Sequence, residues 1–326
     1  MPGSILKAIF PVIAYLCIGY IAKQTKKFDP NNSGILIGYV LNISIPCMIV
    51  LDMTRQDMFK DLSKYAEFFG GYLLVSAIVF AIAYSYARIV KRQNLLIGSY
   101  FSAAASYSNT CMIALPILAI MLPVGGATYG VIGVIVLIIG LQTTSIIYEY
   151  TSEENAKLDA RKILISIGKA MKANYFIAMV LGLILSFLGF QFPSVLSTSL
   201  NAIGMTTAPV ALFAIGAQLN FTLFKNHIRI VSECTFFKLF LMPALAWFIC
   251  DLVKLPPAPS VAVILCSAVP TAKCQYAVAR SHNVYVEETE SIVAGTTILS
   301  MVTLAIVIAM LAKEYPTLVT QVCAKQ

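Results

Sequence analysis

Ala105-Ser-Tyr-Ser-Asn-Thr-Cys-Met-Ile-Ala-Leu-Pro116 lies in the middle of a hydrophobic segment that runs from about Leu95 to Leu122. Its polar side chains fall at a depth where a bilayer-spanning helix is normally apolar. Pro116 lacks a backbone N–H group, and in a helix its ring clashes with the carbonyl one turn earlier. Irregular backbone at membrane depth is tolerated only where it is buried in protein or lines a cavity. The stretch therefore predicts a helix that breaks inside the membrane, next to a polar site.

A second interrupted segment lies late in the chain, between Ala258 and Arg280. Its centre reads Ser267-Ala-Val-Pro-Thr-Ala-Lys-Cys-Gln275, with a proline, several polar groups and Lys273. A lysine near the centre of a membrane helix costs about 2.5–3.5 kcal/mol on insertion scales, so we expect its ammonium to face a cavity or a partner. Together the two segments predict a polar, cationic pocket halfway across the membrane.

The composition indicates the class of protein. Of the 326 residues, 59% are hydrophobic and 12% are charged, and the mean hydropathy is +0.83. A soluble domain carries roughly 25% charged residues. We therefore expect a multi-pass integral protein of the cell membrane, surrounded by lipid. The net charge of +8 is spread over loops, and no basic block with interleaved aromatic residues indicates a nucleic-acid partner.

Segment length gives the number of spans. About 20 consecutive apolar residues cross a bilayer as a helix. On that basis the sequence predicts an all-α integral membrane protein with ten transmembrane helices. The ten segments are Ser4–Ala22, Gly34–Leu51, Glu67–Ala87, Leu95–Leu122, Thr128–Tyr148, Asn174–Phe190, Ser199–Leu219, Val231–Val253, Ala258–Arg280 and Glu288–Ala312.

Lysine and arginine residues are unevenly distributed between alternate loops. The loops after segments 1, 3, 5, 7 and 9 hold 14 of them, whereas the other loops and both termini hold 7. Because short basic loops usually face the cytoplasm, the first set of loops should be cytoplasmic. Both termini are then predicted to be non-cytoplasmic.

The longest connection, residues 149–173, divides the chain near its midpoint. Five segments precede it (residues 4–148) and five follow it (residues 174–312). An odd number of spans in the first half makes the second half enter the membrane from the opposite side, which is the arrangement of an inverted repeat. The part of the connection from Leu158 to Met171 has basic residues between aliphatic ones. It is either a helix on the inner membrane face or a solvated cytoplasmic linker.

Residue correspondences at one offset support the repeat. Three pairs of identical residues lie 163 positions apart, namely Gly19 and Gly182, Pro46 and Pro209, and Cys111 and Cys274. Segments 4 and 9, the two with polar interruptions, fall in corresponding positions of the two halves. Such a pair of interrupted helices is the sequence indication of a midplane binding site in secondary transporters.

Polar side chains at the interruptions are candidates for that site. Asn109 offers an amide where backbone groups already lack partners, so we expect it to line the site. Ser108 and Thr110 either line it as well or only satisfy backbone groups freed by the break. Lys273 either attracts an anionic substrate or is an internal cation that replaces a metal ion or pairs with an acid. The candidate acids are Asp52, Glu233 and Glu290.

Two residues outside the interruptions also carry predictions. Asn42 precedes Pro46 in segment 2 and could face the site from there. Lys238 lies inside segment 8, where the favoured interpretation is that its side chain reaches the membrane interface or pairs with Glu233 rather than binding a ligand.

No constellation of an enzyme is present. The two histidines, His227 and His282, fall in predicted loops. The eight cysteines show neither metal-ligand spacing nor the pattern of a disulfide framework. No nucleotide-binding or hydrolase motif occurs. We therefore expect a protein that is not an enzyme and has no cofactor and no metal site.

Four stretches resemble the auxin efflux carriers, a family that includes bacterial malate and malonate permeases and plant auxin exporters. They are Tyr39–Pro46, Ser108–Pro116, Ala208–Leu219 and Val269–Ala272. The resemblance covers nearly the whole chain. It implies ten helices in a 5+5 inverted repeat, similar to the fold of bile-acid sodium symporters, with broken helices 4 and 9 crossing each other. It also implies a scaffold of helices 1, 2, 6 and 7 and a mobile transport domain of helices 3–5 and 8–10.

Carried over by position, the resemblance implies a substrate site at the crossing. Together with the polar residues above, it gives as candidate substrate-binding residues Asn42, Ser108, Asn109, Thr110, Pro116, Pro270, Thr271, Lys273 and Gln275. Lys273 stands where small or amide residues are common in the family. A fixed cation there could substitute for Na⁺ or H⁺ as the coupling ion. A homodimer is a candidate assembly.

The sequence thus predicts a secondary transporter of a small organic anion, most simply a carboxylate, that works by elevator-type alternating access. One alternative is a membrane-embedded sensor that uses the same fold to bind a lipid or metabolite without moving it. A receptor normally carries an extra signalling domain, and the longest soluble stretch of this sequence, about 25 residues, is too short for one. A channel is a third alternative, but no selectivity-filter repeat or ring-forming row of charges is present.

Overall fold

The computed structural model describes residues 2–55, 62–122, 125–152, 168, 172–219 and 227–319. All regular elements in these ranges are helices, and one isolated β-bridge is present. The predicted surface helix between Leu158 and Met171 lies almost entirely outside the described residues.

The helices follow the predicted segments closely. They are α1 (Pro2–Gln24), α2 (Ser33–Tyr39), α3 (Ile45–Thr54), α4 (Leu62–Ser85), α5 (Leu95–Ser106), α6 (Leu115–Met121), α7 (Gly126–Ser152), α8 (Asn174–Phe187), α9 (Ser194–Met205), α10 (Thr207–Gln218), α11 (Ile228–Thr235), α12 (Met242–Leu252), α13 (Pro257–Ala268), α14 (Lys273–His282), α15 (Val286–Glu314) and α16 (Pro316–Val319). Four π turns connect or extend them, at Val40–Ser44, Tyr86–Val90, Thr110–Ala114 and Phe236–Leu241.

Among the described residues, six helical stretches are long and apolar enough to cross a membrane. They are Pro30–Thr54, Leu62–Val90, Gly126–Thr151, Ser194–Gln218, Ile228–Leu252 and Val286–Glu314. Five shorter apolar helices of 10–17 residues accompany them, at Phe10–Gln24, Leu95–Ser106, Thr110–Met121, Asn174–Phe187 and Pro257–Ala268. The all-helical, multi-pass membrane architecture predicted from the sequence is therefore confirmed.

The first group of helices packs through glycine contacts. Helix α1 lies against α10, and α3 lies against α8. A Cβ atom added at Gly216 would overlap the carbonyl group of Leu16, and one at Gly19 would overlap the carbonyl group of Phe213. Small residues at such positions let two helix backbones approach closely, which is how membrane helices gain packing energy without a hydrophobic driving force.

The remaining helices form a second group around an aromatic core. Helix α4 packs on α5 and α13, α6 on α7, and α11 on α15. The buried Phe68 and Tyr72 stack with ring centroids 5.8 Å apart, and Phe68 meets the edge of Tyr129 at 5.2 Å. This group carries both interrupted segments, so it fixes the position of the crossing.

Asp52 connects the two groups. Its side chain, near the end of α3, accepts hydrogen bonds from the backbone N–H groups of Gly125 (3.0 Å) and Thr128 (3.4 Å) and from the Thr128 hydroxyl (3.2 Å). These donors lie at the first turn of α7, where unpaired N–H groups and the helix dipole favour a carboxylate. Asp52 is therefore a cap for α7 and not the partner of Lys273.

We predict that Gly216→Ala lowers the thermal unfolding midpoint of the purified protein in detergent. The added methyl group meets the α1 backbone, which must move away, and overpacking of this kind costs about 1–3 kcal/mol. The control is Gly70→Ala in α4, where an added Cβ meets nothing within 4 Å. Equal midpoints for the two variants would contradict the close α1–α10 contact.

Candidate functional site

Both interrupted segments break in the structure. Helix α5 ends at Ser106, Tyr107 is extended (φ −91°, ψ 118°), and helical structure resumes at Thr110. Helix α13 ends at Ala268, Val269 and Ala272 are extended, and α14 begins at Lys273. The predicted interruption of segments 4 and 9 is confirmed.

The two extended stretches pair with each other. The backbone N–H of Asn109 donates to the carbonyl of Pro270 (2.8 Å), and the N–H of Ala272 donates to the carbonyl of Tyr107 (2.9 Å). Ser108 and Thr271 form the centre of this antiparallel bridge. Each break thus satisfies backbone groups of the other, which is required where no water can do so.

Pro116 does not cause the first break. The helix stops before Ser108, whereas Pro116 lies in the first turn of α6, after the π turn Thr110–Ala114. A proline is tolerated in a first turn because that N–H would be unpaired in any case. The N–H of Leu115 bonds to the carbonyl of Thr110 in the wider π pattern, which accommodates the ring. Pro270, in contrast, lies in the second break itself and supplies an acceptor carbonyl.

Hydroxyl groups attach the crossing to its neighbours. The buried Thr271 Oγ1 donates to the carbonyl of Ala104 in the last turn of α5 (2.7 Å). The Thr271 N–H donates to Oγ1 of Thr296 on α15 (3.3 Å). These bonds hold the second break against both α5 and α15, so Thr271 is a structural member of the crossing.

Lys238 is the residue at this site that sequence reasoning missed. It is fully buried in the π turn Phe236–Leu241. Its Nζ donates to Ser108 Oγ (2.7 Å) and to the carbonyl of Ser267 (2.9 Å) and lies 3.1 Å from Met242 Sδ.

Both favoured interpretations of Lys238 were therefore wrong. The side chain does not reach the interface, and Glu233 is paired with Lys91 (2.6 Å) and Arg229 (3.2 Å) instead. The sequence does contain a signal that Lys238 is buried in a polar environment. Lys238 lies between Phe237 and Leu239 within an apolar segment, and a charged residue at membrane depth needs a polar environment inside the protein.

A cavity of about 380 Å³, with both charged and apolar residues in its wall, lies next to the crossing. Asn109, at the first break, and Lys273, at the start of α14, are both in its wall. The Lys273 ammonium donates to Oε1 of Gln218 at the end of α10. The other lining residues are Lys23, Pro30, Asn31, Met112, Ile215, Leu219, Tyr276, Glu290, Val293, Ala294 and Thr297.

The charged residues of this cavity come from both helix groups. Lys23, at the end of α1, donates to the carbonyl of Leu219, while Lys273 belongs to the second group of helices. Glu290 on α15 is the acidic residue among the lining side chains. Two ammonium groups, the Asn109 amide and the Tyr276 ring can together bind an organic anion, with charge-assisted hydrogen bonds for its oxygen atoms.

The structure divides the nine candidate residues into three sets. Asn109 and Lys273 line the cavity. Asn42 lies elsewhere, where it bonds to the Gly38 carbonyl (2.9 Å) and to Asn174 (3.1 Å). The remaining six are buried at or behind the crossing and are absent from the cavity wall, namely Ser108, Thr110, Pro116, Pro270, Thr271 and Gln275.

Three buried polar side chains near the crossing lack partners. Both amide atoms of Gln275 and the hydroxyls of Thr110 and Ser267 have no hydrogen bond with any residue that the structure describes. The cavity residues Lys23, Gln218 and Tyr276 were not predicted, because the sequence does not show that the ends of α1 and α10 face the start of α14.

We predict that Thr271→Val lowers the thermal unfolding midpoint in detergent. The isosteric change leaves the Ala104 carbonyl without its donor, and a buried unsatisfied group costs about 1–3 kcal/mol. The matched control is Thr143→Val, since Thr143 is exposed and bonds only to the carbonyl one turn earlier in its own helix. A midpoint as high as that of the control would show that the bridge does not depend on this hydroxyl.

Comparison with known proteins agrees with this geometry. A sequence model of the family described as membrane transport protein matches residues 4–308. No curated protein matched the chain. The family match covers both broken segments and every residue of the cavity wall. The chain therefore belongs to the membrane transport protein family, the auxin efflux carriers, and is a membrane transporter.

Proposed function

We propose that this chain is a secondary carrier of a small organic anion, most simply a carboxylate. The observation that carries the proposal is the cavity beside the crossing, which Lys273 and Asn109 of the second helix group line together with Lys23 of the first. The Lys273 side chain is exposed and lies in the cavity wall. Here Lys273 meets only the neutral amide of Gln218 among the described residues, so its charge is available to an anion.

The two helix groups support an elevator-type movement. Under the proposal, α1–α3 and α8–α10 form the scaffold, and α4–α7 and α11–α15 form the transport domain. The cavity lies between them, because Lys23 and Gln218 belong to the first group and Asn109, Lys273 and Glu290 to the second. Movement of the second group would carry an anion bound to Lys273 across the barrier.

Contacts between residues 163 positions apart support the inverted repeat. Ser44 and Thr207 differ by 163 positions, and their hydroxyl oxygens lie 2.6 Å apart. Ser108 and Thr271 differ by the same number and form the bridge at the crossing. The same offset relates whole helices, since α1 corresponds to α8 and α3 corresponds to α10. Helices α1 and α10 pack together, and so do their counterparts α8 and α3. Contacts of this kind are expected on the axis of an inverted repeat.

The predicted orientation gives the cavity a direction. The cavity wall includes residues next to the loops after segments 1, 7 and 9, namely Lys23, Leu219 and the start of α15. The distribution of basic residues assigns these loops to the cytoplasm. The cavity then opens inward. Asp52, which bonds to the start of α7, lies at the opposite end of the interface and closes the outer side in the same conformation.

A ligand screen followed by a transport assay tests the proposal. The purified protein is heated with mono-, di- and tricarboxylates, with and without Na⁺ and at several pH values. A ligand that binds the folded state raises the unfolding midpoint, by an amount that grows with its concentration over Kd. The best ligands are then offered, radiolabelled, to proteoliposomes. Uptake above empty liposomes is expected, whereas binding without uptake would indicate a sensor and end the carrier proposal.

We predict that Lys273→Ala reduces uptake of the identified anion by about ten- to a hundredfold, because a hydrogen bond to a charged group contributes about 1.5–3 kcal/mol. Lys273→Arg keeps the charge and should retain part of the uptake. Lys313→Ala, at the exposed end of α15, is the control for net charge. Unchanged kinetics in Lys273→Ala would remove Lys273 from the substrate site.

A further inference from the structure

An acidic side chain, Glu290, lies on the face of α15 that borders the cavity. Helix α15 contributes four residues to the cavity wall, namely Glu290, Val293, Ala294 and Thr297. Counted from Glu290, the others follow after three, four and seven positions, and residues at this spacing share one face of a helix. The Glu290 carboxylate is therefore part of the cavity and not of the outer surface of α15.

Glu290 has no partner among the residues that the structure describes. Its carboxylate forms no hydrogen bond or ion pair with them. The sequence made it a candidate partner of Lys273, but the Lys273 ammonium donates to Gln218 and the Lys23 ammonium donates to the Leu219 carbonyl. Glu287, by contrast, is exposed and lies 3.8 Å from His227. The charge of Glu290 therefore acts on whatever enters the cavity.

The charges of the wall are divided unequally between the two helix groups. Lys23 belongs to the first group, whereas Lys273 and Glu290 belong to the second. Under the proposed carrier function, the second group moves with the bound anion and leaves Lys23 behind. The moving part of the site then offers its ligand one ammonium group and one carboxylate.

This pair of charges discriminates between ligands by their number of carboxylates. A first carboxylate can bind the Lys273 ammonium through a charge-assisted hydrogen bond. A second carboxylate can only accept hydrogen bonds, as can Glu290, and like charges placed against each other are costly. An uncharged group at the same position meets no such repulsion. Repulsion of the wrong ligand is a common means of specificity.

We propose that Glu290 is a specificity-determining residue that restricts the cargo to molecules with a single carboxylate. The inference rests on the proposed carrier function and names the substrate class of the same site, which is monocarboxylates and not dicarboxylates. Its binding part concerns the purified protein alone and can be tested without transport.

The first test uses three probes of nearly the same size and shape, namely succinate, succinamate and levulinate. The second carboxylate of succinate is replaced by an amide in succinamate and by a methyl ketone in levulinate. Thermal unfolding of the wild-type protein is measured against each probe, at a pH where both carboxyl groups of succinate are ionised. Because a ligand of the folded state raises the midpoint and like charges repel, succinate should need a concentration about tenfold higher or more for the same rise. Succinate that binds as tightly as the other two would overturn the proposal.

The second test compares Glu290→Gln with Glu287→Gln. Glu290→Gln keeps the size of the side chain and removes its charge, so the preference for succinamate over succinate should fall towards one. Glu287→Gln removes the same charge from the same helix, at an exposed position outside the cavity wall, and should keep the wild-type preference. Each preference compares two ligands on one variant, so a general change in stability cancels. An unchanged preference in Glu290→Gln, or an equal change in both variants, would contradict the role of Glu290.

The third test extends the comparison to transport in proteoliposomes. Wild-type protein should take up radiolabelled succinamate in preference to succinate, and Glu290→Gln should gain succinate uptake. Binding of monocarboxylates without uptake would end the carrier function, while the binding preference still decides the role of Glu290. Wild-type uptake of succinate equal to that of succinamate would leave the carrier function standing and overturn the role of Glu290. If none of the three probes binds, the inference fails, and the wider ligand screen still decides the carrier function.

Discussion

The structure depends on two backbone hydrogen bonds between the two broken membrane segments. Asn109 bonds to Pro270 and Ala272 bonds to Tyr107. A helix that stops within a bilayer leaves N–H and C=O groups unpaired, and each costs several kcal/mol when water is absent. One broken helix could not exist there alone. Two broken helices can, because the extended part of each offers the donors and acceptors that the other lacks.

This pairing also decides where charge is placed. The crossing joins helix ends of opposite sign, and the two lysines of the broken region lie on different sides of it. Lys238 is sealed against the finishing ends at Ser267 and Ser108, whereas Lys273 begins α14 and faces the cavity. The Lys238 ammonium contacts a carbonyl at the end of α13, which is the negative end of that helix. Lys273 lies at the positive start of α14, where an organic anion would bind under the proposed function.

The two breaks could be predicted from sequence, because polar side chains inside an apolar segment are costly unless they serve a break or a site. The cause of the first break could not be predicted. Pro116 was the obvious helix breaker, yet the chain breaks before Ser108, where the partner strand supplies hydrogen bonds. For Lys238 the sequence favoured the membrane interface or an ion pair with Glu233, because its actual contacts, Ser108 and Ser267, lie 130 and 29 positions away along the chain. Segment length and periodicity report on one helix at a time, so they locate interruptions but do not show which side chains from other helices reach them.

The same limit explains why only Asn109 and Lys273 of the candidate residues reach the cavity wall. The ends of α1 and α10, two helices that glycine contacts bring close together, also line the cavity, and Gln218 at the end of α10 meets Lys273 of α14. Gln218 is thus placed to hold Lys273 when no anion is bound. The Lys273 ammonium has three N–H donors, so an anion can bind it directly, and an anion that also takes the donor now given to Gln218 removes a bond between the two helix groups. Under the proposed mechanism, substrate binding would itself loosen the inner contact and leave the outer contact at Asp52 as the next one to break.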